Sequence, residues 1–137
     1  MVNSRQTMLC LGPFHFDILL KIYMFMLLWN SGESNGFTSR FLGFSLYISN
    51  TTNRSQGSLC FKDSHFNRST IPTPIDLTCP AHGQYVIYYN ERKPGVTYPA
   101  GYSQYAYNEI CELEVYGKHT FSIYVYSFFP QKNGLNC

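Results

Sequence analysis

The alternation of apolar and polar residues is clearest in the stretch NEICELEVYG, near the C-terminal end of the chain. Cys111, Leu113 and Val115 fall on one side of an extended backbone, and Glu112 and Glu114 fall on the other. A spacing of two residues is typical of a strand with one buried and one solvated face. The pattern therefore predicts a strand that carries a carboxylate, Glu112, directly beside a cysteine.

Further strands are predicted where β-branched and aromatic residues cluster, at residues 41–49, 59–63 and 84–90. Residues 30–40 are rich in Gly, Ser and Asn and predict a long exposed loop. Three prolines within residues 69–83 exclude a helix or a central strand and predict an extended connection. No stretch has a convincing helical period, and a last β-like run covers residues 120–129.

The first thirty residues leave two interpretations open. Residues 16–29 are strongly apolar and follow Arg5, as in the hydrophobic part of a signal peptide, but Asp17 and Lys21 interrupt them. The alternative is one or two buried strands that supply core. The uninterrupted part is too short to cross a bilayer, so membrane association is expected only if the segment is an uncleaved anchor.

Composition favours a single all-β domain. Of the 137 residues, 13% are charged and 18% are aromatic, and the 12 tyrosines and 11 phenylalanines are residue types that favour strands. A chain of this length has room for one modest core. The net charge of +2 is spread along the sequence, which argues against nucleic acid as a partner.

Cysteines and glycosylation sequons indicate an extracellular protein. The five cysteines are Cys10, Cys60, Cys79, Cys111 and Cys137. None forms a Cys-x-x-Cys pair, so disulfides are expected rather than a zinc site. Asn50, Asn53 and Asn67 each begin an Asn-x-Ser/Thr sequon in a polar stretch. These features together predict a secreted or cell-surface glycoprotein.

Four stretches in order, RFLGFSLYISN, LCFKD, CPAHGQYVIYYNER and ICELEVYG, resemble the C-terminal half of F-type lectins. These are fucose-binding lectins of the fucolectin and tachylectin type, and the chain looks most like domains of molluscan and other invertebrate secreted or EGF-repeat receptor proteins. The resemblance covers residues 37–117 and implies a galactose-binding-like, discoidin-related jelly-roll β-sandwich that lacks N-terminal strands or has altered ones. Residues 1–36 are then an N-terminal apolar segment and loop, and residues 118–137 are a C-terminal extension.

The resemblance implies that the chain binds glycans on cell surfaces, fucose-type or related sugars, and catalyses nothing. Arg40 stands before FLG and matches the last arginine of the family's sugar site, whereas Glu33 stands where another arginine is expected. Glu112 matches a ligand of the family's structural calcium. An Asp/Asn-rich loop that supplies the other calcium ligands in the family has no match before residue 37.

The same resemblance implies a disulfide between Cys60 and Cys79. It leaves Cys111 without the cysteine that the family places in its first half, and either Cys10 or Cys137 is a possible substitute. The sequence does not decide between them.

Other roles remain open for the candidate residues. Arg40 and Glu112 are also compatible with plain surface charges, and Tyr98, Tyr102 and Tyr105 with either sugar stacking or ordinary packing. The main alternative function is a non-sugar-binding adhesion or interaction module, a truncated lectin-like domain that has lost its site.

An enzyme is the alternative from another class. A glycosidase needs two carboxylates that flank a cleft, and Glu112 with Glu91 or Glu109 would be the candidates. No motif in the sequence supports such a pair, so no catalytic residue is assigned.

Overall fold

Seven strands and one short helix form the part of the chain that the computed structural model describes, residues 6–13, 20–26, 36–107 and 110–117. The elements, in chain order, are β1 (Gln6–Leu11), β2 (Leu20–Met26), α1 (Gly36–Phe41), β3 (Ser45–Ser49), β4 (Ser58–Lys62), β5 (Ile75–Cys79), β6 (Tyr85–Glu91) and β7 (Ile110–Tyr116). A 3₁₀ turn at Arg54–Gln56 lies between β3 and β4. The predicted all-β class is confirmed.

The strands make two antiparallel sheets. The first has the order β1-β6-β3-β4 and the second the order β5-β2-β7. Every connection except the β3–β4 hairpin passes from one sheet to the other, so most neighbours within a sheet are distant in sequence. This arrangement is a β-sandwich.

The core lies between the two sheets. Leu46, Ile48, Val86 and Tyr88 come from the first sheet and are nearly inaccessible to solvent. From the second sheet come Ile22, Met24, Ile75, Leu113 and Val115. β6 is buried over Val86–Asn90, on both faces, which accounts for its nearly continuous run of β-branched and aromatic residues.

The two N-terminal strands come from the segment for which the sequence left a signal peptide and buried strands open. In the structure β2 lies between β5 and β7, and its Ile22 and Met24 are fully buried. β1 pairs with β6 at the edge of the other sheet. Both sheets therefore include strands from outside residues 37–117.

Strand β7 keeps the predicted alternation over part of its length. Leu113 and Val115 are buried, whereas Glu114 is half-exposed. The pairing with β2 shifts register between Phe25 and Met26, and Ile110 is buried although it is out of phase with Leu113. A β-bulge of this kind places an extra residue on one strand and changes which side chains face the core.

The prediction of a loop through residue 40 and of no helix is wrong at its end, because residues 36–41 form α1. A helix of six residues is too short to show a period in the sequence. It forms here because Phe41 is fully buried and because Asn90 of β6 and Arg92, just after β6, donate to the carbonyls at the helix end. The predicted strand at residues 41–49 consequently begins at Ser45.

The predicted disulfide is present. Cys60 of β4 and Cys79 of β5 are bonded, with Cα atoms 5.3 Å apart, and they join an edge strand of one sheet to an edge strand of the other. Cys10 of β1 is disulfide-bonded as well, which leaves Cys111 and Cys137 as the cysteines available to it. The predicted run at residues 120–129 lies outside the described residues.

Candidate functional site

An open groove lies between α1 and the segment that follows residue 100. Its lining residues are Gly36, Ser39, Arg40, Arg68, Gly101, Tyr102, Ser103 and Tyr105. We call it the α1 groove. Its volume of about 450 Å³ is within the range of roughly 300–1,000 Å³ that is usual for small-ligand sites.

The end of α1 is held by two side chains from β6 and the residue after it. Helices leave their last carbonyl groups without intrahelical partners. The Asn90 side-chain amide donates to the carbonyl of Phe41 at 2.8 Å, and the Arg92 guanidinium donates to the carbonyl of Leu42 at 2.9 Å. Gly43 follows with φ of +83°, the left-handed conformation that commonly ends a helix and that glycine adopts without strain.

Arg92 also joins the two walls of the α1 groove. Its Nε donates to the carbonyl of Ser103 at 2.8 Å, and its Nη2 donates to the carbonyl of Ser39 at 3.3 Å. The backbone N–H of Ser103 donates to the same Ser39 carbonyl at 2.9 Å. The two walls are therefore joined by one side chain, which is 5% exposed, and by a direct backbone hydrogen bond.

The Arg92 guanidinium lies beside a stacked pair of aromatic rings. Its Cζ is 5.1 Å from the ring centroids of both Tyr98 and Tyr102, and the two rings are nearly parallel, with centroids 6.0 Å apart. Burial lowers the pKa of Arg92 and, together with the charge of Asp63, raises that of Tyr102. Cation–π contacts and carbonyl acceptors thus replace the water that an exposed guanidinium would bind.

Asp63 fixes the loop that carries Arg68. Its carboxylate is 3% exposed and accepts hydrogen bonds from the backbone N–H groups of Gly43 at 2.7 Å and Phe66 at 2.9 Å. The first bond ties the loop to the end of α1, and the second closes a turn within it. Arg68 reaches the groove two residues after that turn.

Arg40, the predicted sugar-binding residue, lines the α1 groove from the last turn of the helix. Its Nε donates to the carbonyl of Gly36 at 3.1 Å. Its guanidinium lies 4.8 Å from the centroid of the Phe37 ring and 5.2 Å from that of the Tyr107 ring. These contacts hold the side chain at the rim of the groove, where it adds positive charge.

Two of the three predicted loop tyrosines line the same groove as Arg40. Tyr102 is half-buried, and Tyr105 is 39% exposed. Tyr98 instead packs against Arg92 and does not line the groove. Its hydroxyl accepts a hydrogen bond from the backbone N–H of Lys93. The structure therefore brings together the predicted arginine and two of the tyrosines that were considered for either sugar stacking or packing.

Glu112 lies in β7, opposite Phe25 of β2, and its side chain is outside the part that the structure describes. Within the described part, no group of three His, Cys, Asp or Glu side chains is placed to hold a metal ion. Glu91 accepts from the Tyr89 hydroxyl at 2.9 Å and pairs with Lys93 at 3.3 Å. Glu109, the other residue considered as a partner of Glu112 in a glycosidase pair, is outside the described residues.

The three sequon asparagines are all exposed, as N-glycosylation requires. Asn50 and Asn53 lie in the β3–β4 hairpin, and Asn67 lies directly beside Arg68. In the described ranges no helix is long and apolar enough to cross a membrane.

Sequence analysis missed Asp63, Arg68, Asn90 and Arg92. Asp63 has a recognisable sequence signal, because an aspartate before a short polar turn commonly accepts from the N–H groups two and three residues later, here those of His65 and Phe66. Arg92 has no such sequence signal, because it stands in the charged stretch NERKPG, which is typical of a surface segment.

No family model, curated protein or solved structure matches the chain.

Proposed function

We propose that the chain is an extracellular carbohydrate-binding module that recognises glycans through the α1 groove. One observation carries the proposal: Arg40, which the lectin resemblance selects from sequence, lines an open groove together with Tyr102 and Tyr105. Sugar sites combine hydrogen-bond donors with aromatic faces that pack on the apolar side of a ring. The β-sandwich supports the proposal at the level of fold class only. We propose in addition that the sandwich is a galactose-binding-like jelly roll.

The donor set suits a polyhydroxylated ligand. Guanidinium groups present several N–H donors in a fixed plane, and Ser39 and Ser103 contribute further polar atoms at the two walls. The hydrogen bonds of Arg92 and Ser103 hold both walls before a ligand arrives. Such preorganisation reduces the entropy cost of binding.

Arg40→Ala tests the proposal on a glycan array and by titration of the best ligand found there. We expect the affinity to fall about tenfold, which corresponds to the loss of roughly one charged hydrogen bond. The control is Lys21→Ala, which also removes one positive charge. Lys21 lies in β2 of the second sheet and forms an exposed ion pair with Asp76 of β5. Equal affinities in the wild type and in Arg40→Ala, at equal melting temperatures, would place the site elsewhere.

Absence of binding to every glycan on the array would overturn the proposal and leave the adhesion or interaction module. Calcium at Glu112 stays a prediction. A melting temperature that added calcium raises and EDTA lowers would support it, and an unchanged melting temperature would contradict it.

A further inference from the structure

Cys10 is disulfide-bonded, and the strand register shows which cysteine it can reach. Cys60 and Cys79 are bonded to each other, so Cys111 and Cys137 remain as partners. Cys111 belongs to β7 of the second sheet, whereas Cys137 lies in the C-terminal extension. The two choices differ in the distance and in the direction that the bond has to cover.

The Cys10 side chain lies on the outer face of the first sheet, the face turned away from the second sheet. In an antiparallel pair, residues directly opposite each other point to the same face. Cys10 is opposite Ile87. Ile87 stands between Val86 and Tyr88, which both point into the core between the sheets. The Cys10 Sγ accordingly lies 3.7 Å from the carbonyl oxygen of Thr52, in the β3–β4 connection.

Cys10 also has a defined position along the strands, which we call its level. Its partner in β6, Ile87, pairs on its other side with Tyr47 of β3. Tyr47 pairs in turn with Leu59 of β4. Because Leu59 directly precedes Cys60, Cys10 and Cys60 lie at nearly the same level, at opposite edges of the first sheet.

The bond between Cys60 and Cys79 carries this level to the second sheet, because its Cα atoms are 5.3 Å apart. Cys79 of β5 pairs with Leu20 of β2. The next residue, Lys21, pairs with Tyr116, the last residue of β7. The same level therefore meets β7 at its C-terminal end.

Cys111 is too far from Cys10 for a disulfide. It stands five residues before Tyr116, and the β-bulge lies within this stretch, so the separation along β7 is about 15 Å. A tilt of about 30° between packed sheets shifts levels by about 8 Å over three strand spacings and leaves about 7 Å. With about 10 Å between the sheets, the two Cα atoms are at least about 12 Å apart, whereas a disulfide requires less than about 7 Å.

We propose that Cys10 is bonded to Cys137 and that this bond anchors the C-terminal extension on the outer face of the first sheet, beside β1. β7 ends at the level of Cys10, and residues 117–137 reach about 70 Å when extended, which is ample for a path around the β1 edge. Formation of the bond takes one electron and one proton from each thiol. A small-molecule or protein disulfide accepts the two electrons and is reduced to two thiols.

Peptide mapping without reduction tests the pairing on the full chain. Free thiols are alkylated, glycans are removed enzymatically, and the chain is cut with trypsin, which cleaves after Lys and Arg but not before Pro. Each of the three cysteines in question then falls in its own peptide: 6–21 for Cys10, 93–118 for Cys111 and 133–137 for Cys137. The sequon asparagines lie in other peptides, so glycosylation does not change these masses.

We expect peptide 6–21 to be linked to peptide 133–137 in the wild type. In Cys137→Ser, alkylation of Cys10 should rise from almost none to nearly complete. Cys111→Ser is the matched control, because it also removes one thiol, and it should keep the link between peptides 6–21 and 133–137.

A link between peptides 6–21 and 93–118 in the wild type would overturn the inference. Alkylation of Cys10 without reduction in the wild type, or loss of its link in Cys111→Ser, would overturn it as well. None of these results depends on glycan binding, so the pairing and the proposed function are tested separately.

Discussion

Replacing Arg92 with methionine tests whether this buried arginine holds the α1 groove together. The change removes the guanidinium while keeping a long unbranched side chain. The two shortest bonds to backbone carbonyls, at 2.8 Å to Ser103 and 2.9 Å to Leu42, lose their donor. A hydrogen bond from a charged donor contributes about 1.5–3 kcal/mol, so the two together contribute about 3–6 kcal/mol.

Burial of the methionine offsets part of this loss. Full burial of such a side chain is worth about 1.5–3 kcal/mol. Replacing a buried ion pair by apolar residues often leaves the stability unchanged when both partners are replaced together. Here the Ser103 carbonyl loses the Arg92 donor, whereas the Ser39 carbonyl keeps the N–H of Ser103 and the Leu42 carbonyl keeps the Asn90 amide at 3.2 Å, so only part of the desolvation cost stays. We therefore expect the free energy of unfolding to fall by about 2–4 kcal/mol.

Urea unfolding followed by circular dichroism measures this change, with the disulfides intact. Lys93→Met is the matched control, because it removes the neighbouring charge from a side chain that is 63% exposed and paired with Glu91 at 3.3 Å. That variant should lose less than about 1 kcal/mol. If Arg92→Met is destabilised no more than Lys93→Met, the carbonyls do not depend on Arg92 and our reasoning is refuted.

Two further predictions concern the disulfide and Tyr89. The double substitution Cys60→Ser and Cys79→Ser should lower the free energy of unfolding by about 3 kcal/mol, because the bond closes a loop with a sequence separation of 19; an unchanged urea midpoint would contradict this. Burial, the hydrogen bond to Glu91 and the charge of Glu91 raise the pKa of Tyr89 from 10.0 to about 12. The native state therefore binds this proton more tightly than the unfolded chain, and the stability that results is complete below about pH 10 and is lost as the pH rises to about 12. Between about pH 10 and 12, the free energy of unfolding should fall less steeply with pH in Tyr89→Phe than in the wild type. Equal slopes would show that Tyr89 does not cause this pH dependence.

The strands were predictable where local composition and the fold agree. In QYVIYYN nearly every residue favours a strand, and β6 is buried on both faces, so an uninterrupted run is what its environment requires. The prolines that flank β5, Pro74 and Pro80, excluded a central strand and predicted only an extended connection, within which the structure forms the edge strand β5.

The candidate site was predictable only in part. The lectin resemblance selected Arg40, and Tyr102 and Tyr105 were considered for sugar stacking or for ordinary packing; the fold places all three at the α1 groove. Arg68 and Arg92 were missed because their roles depend on neighbours remote in sequence. Arg68 meets Gly101, and Arg92 meets carbonyls of the α1 segment about fifty residues earlier.

Residue type and spacing are local properties, and they were enough to establish the all-β class, most strands and the exposed sequons. Burial of a charge is a property of packing. Whether an arginine is saturated by carbonyls, as Arg92 is, or exposed at the α1 groove, as Arg68 is, depends on which carbonyls and rings the closed sandwich brings within hydrogen-bond distance. The same residue type therefore becomes a buried structural clamp at one position and an exposed groove residue at the other.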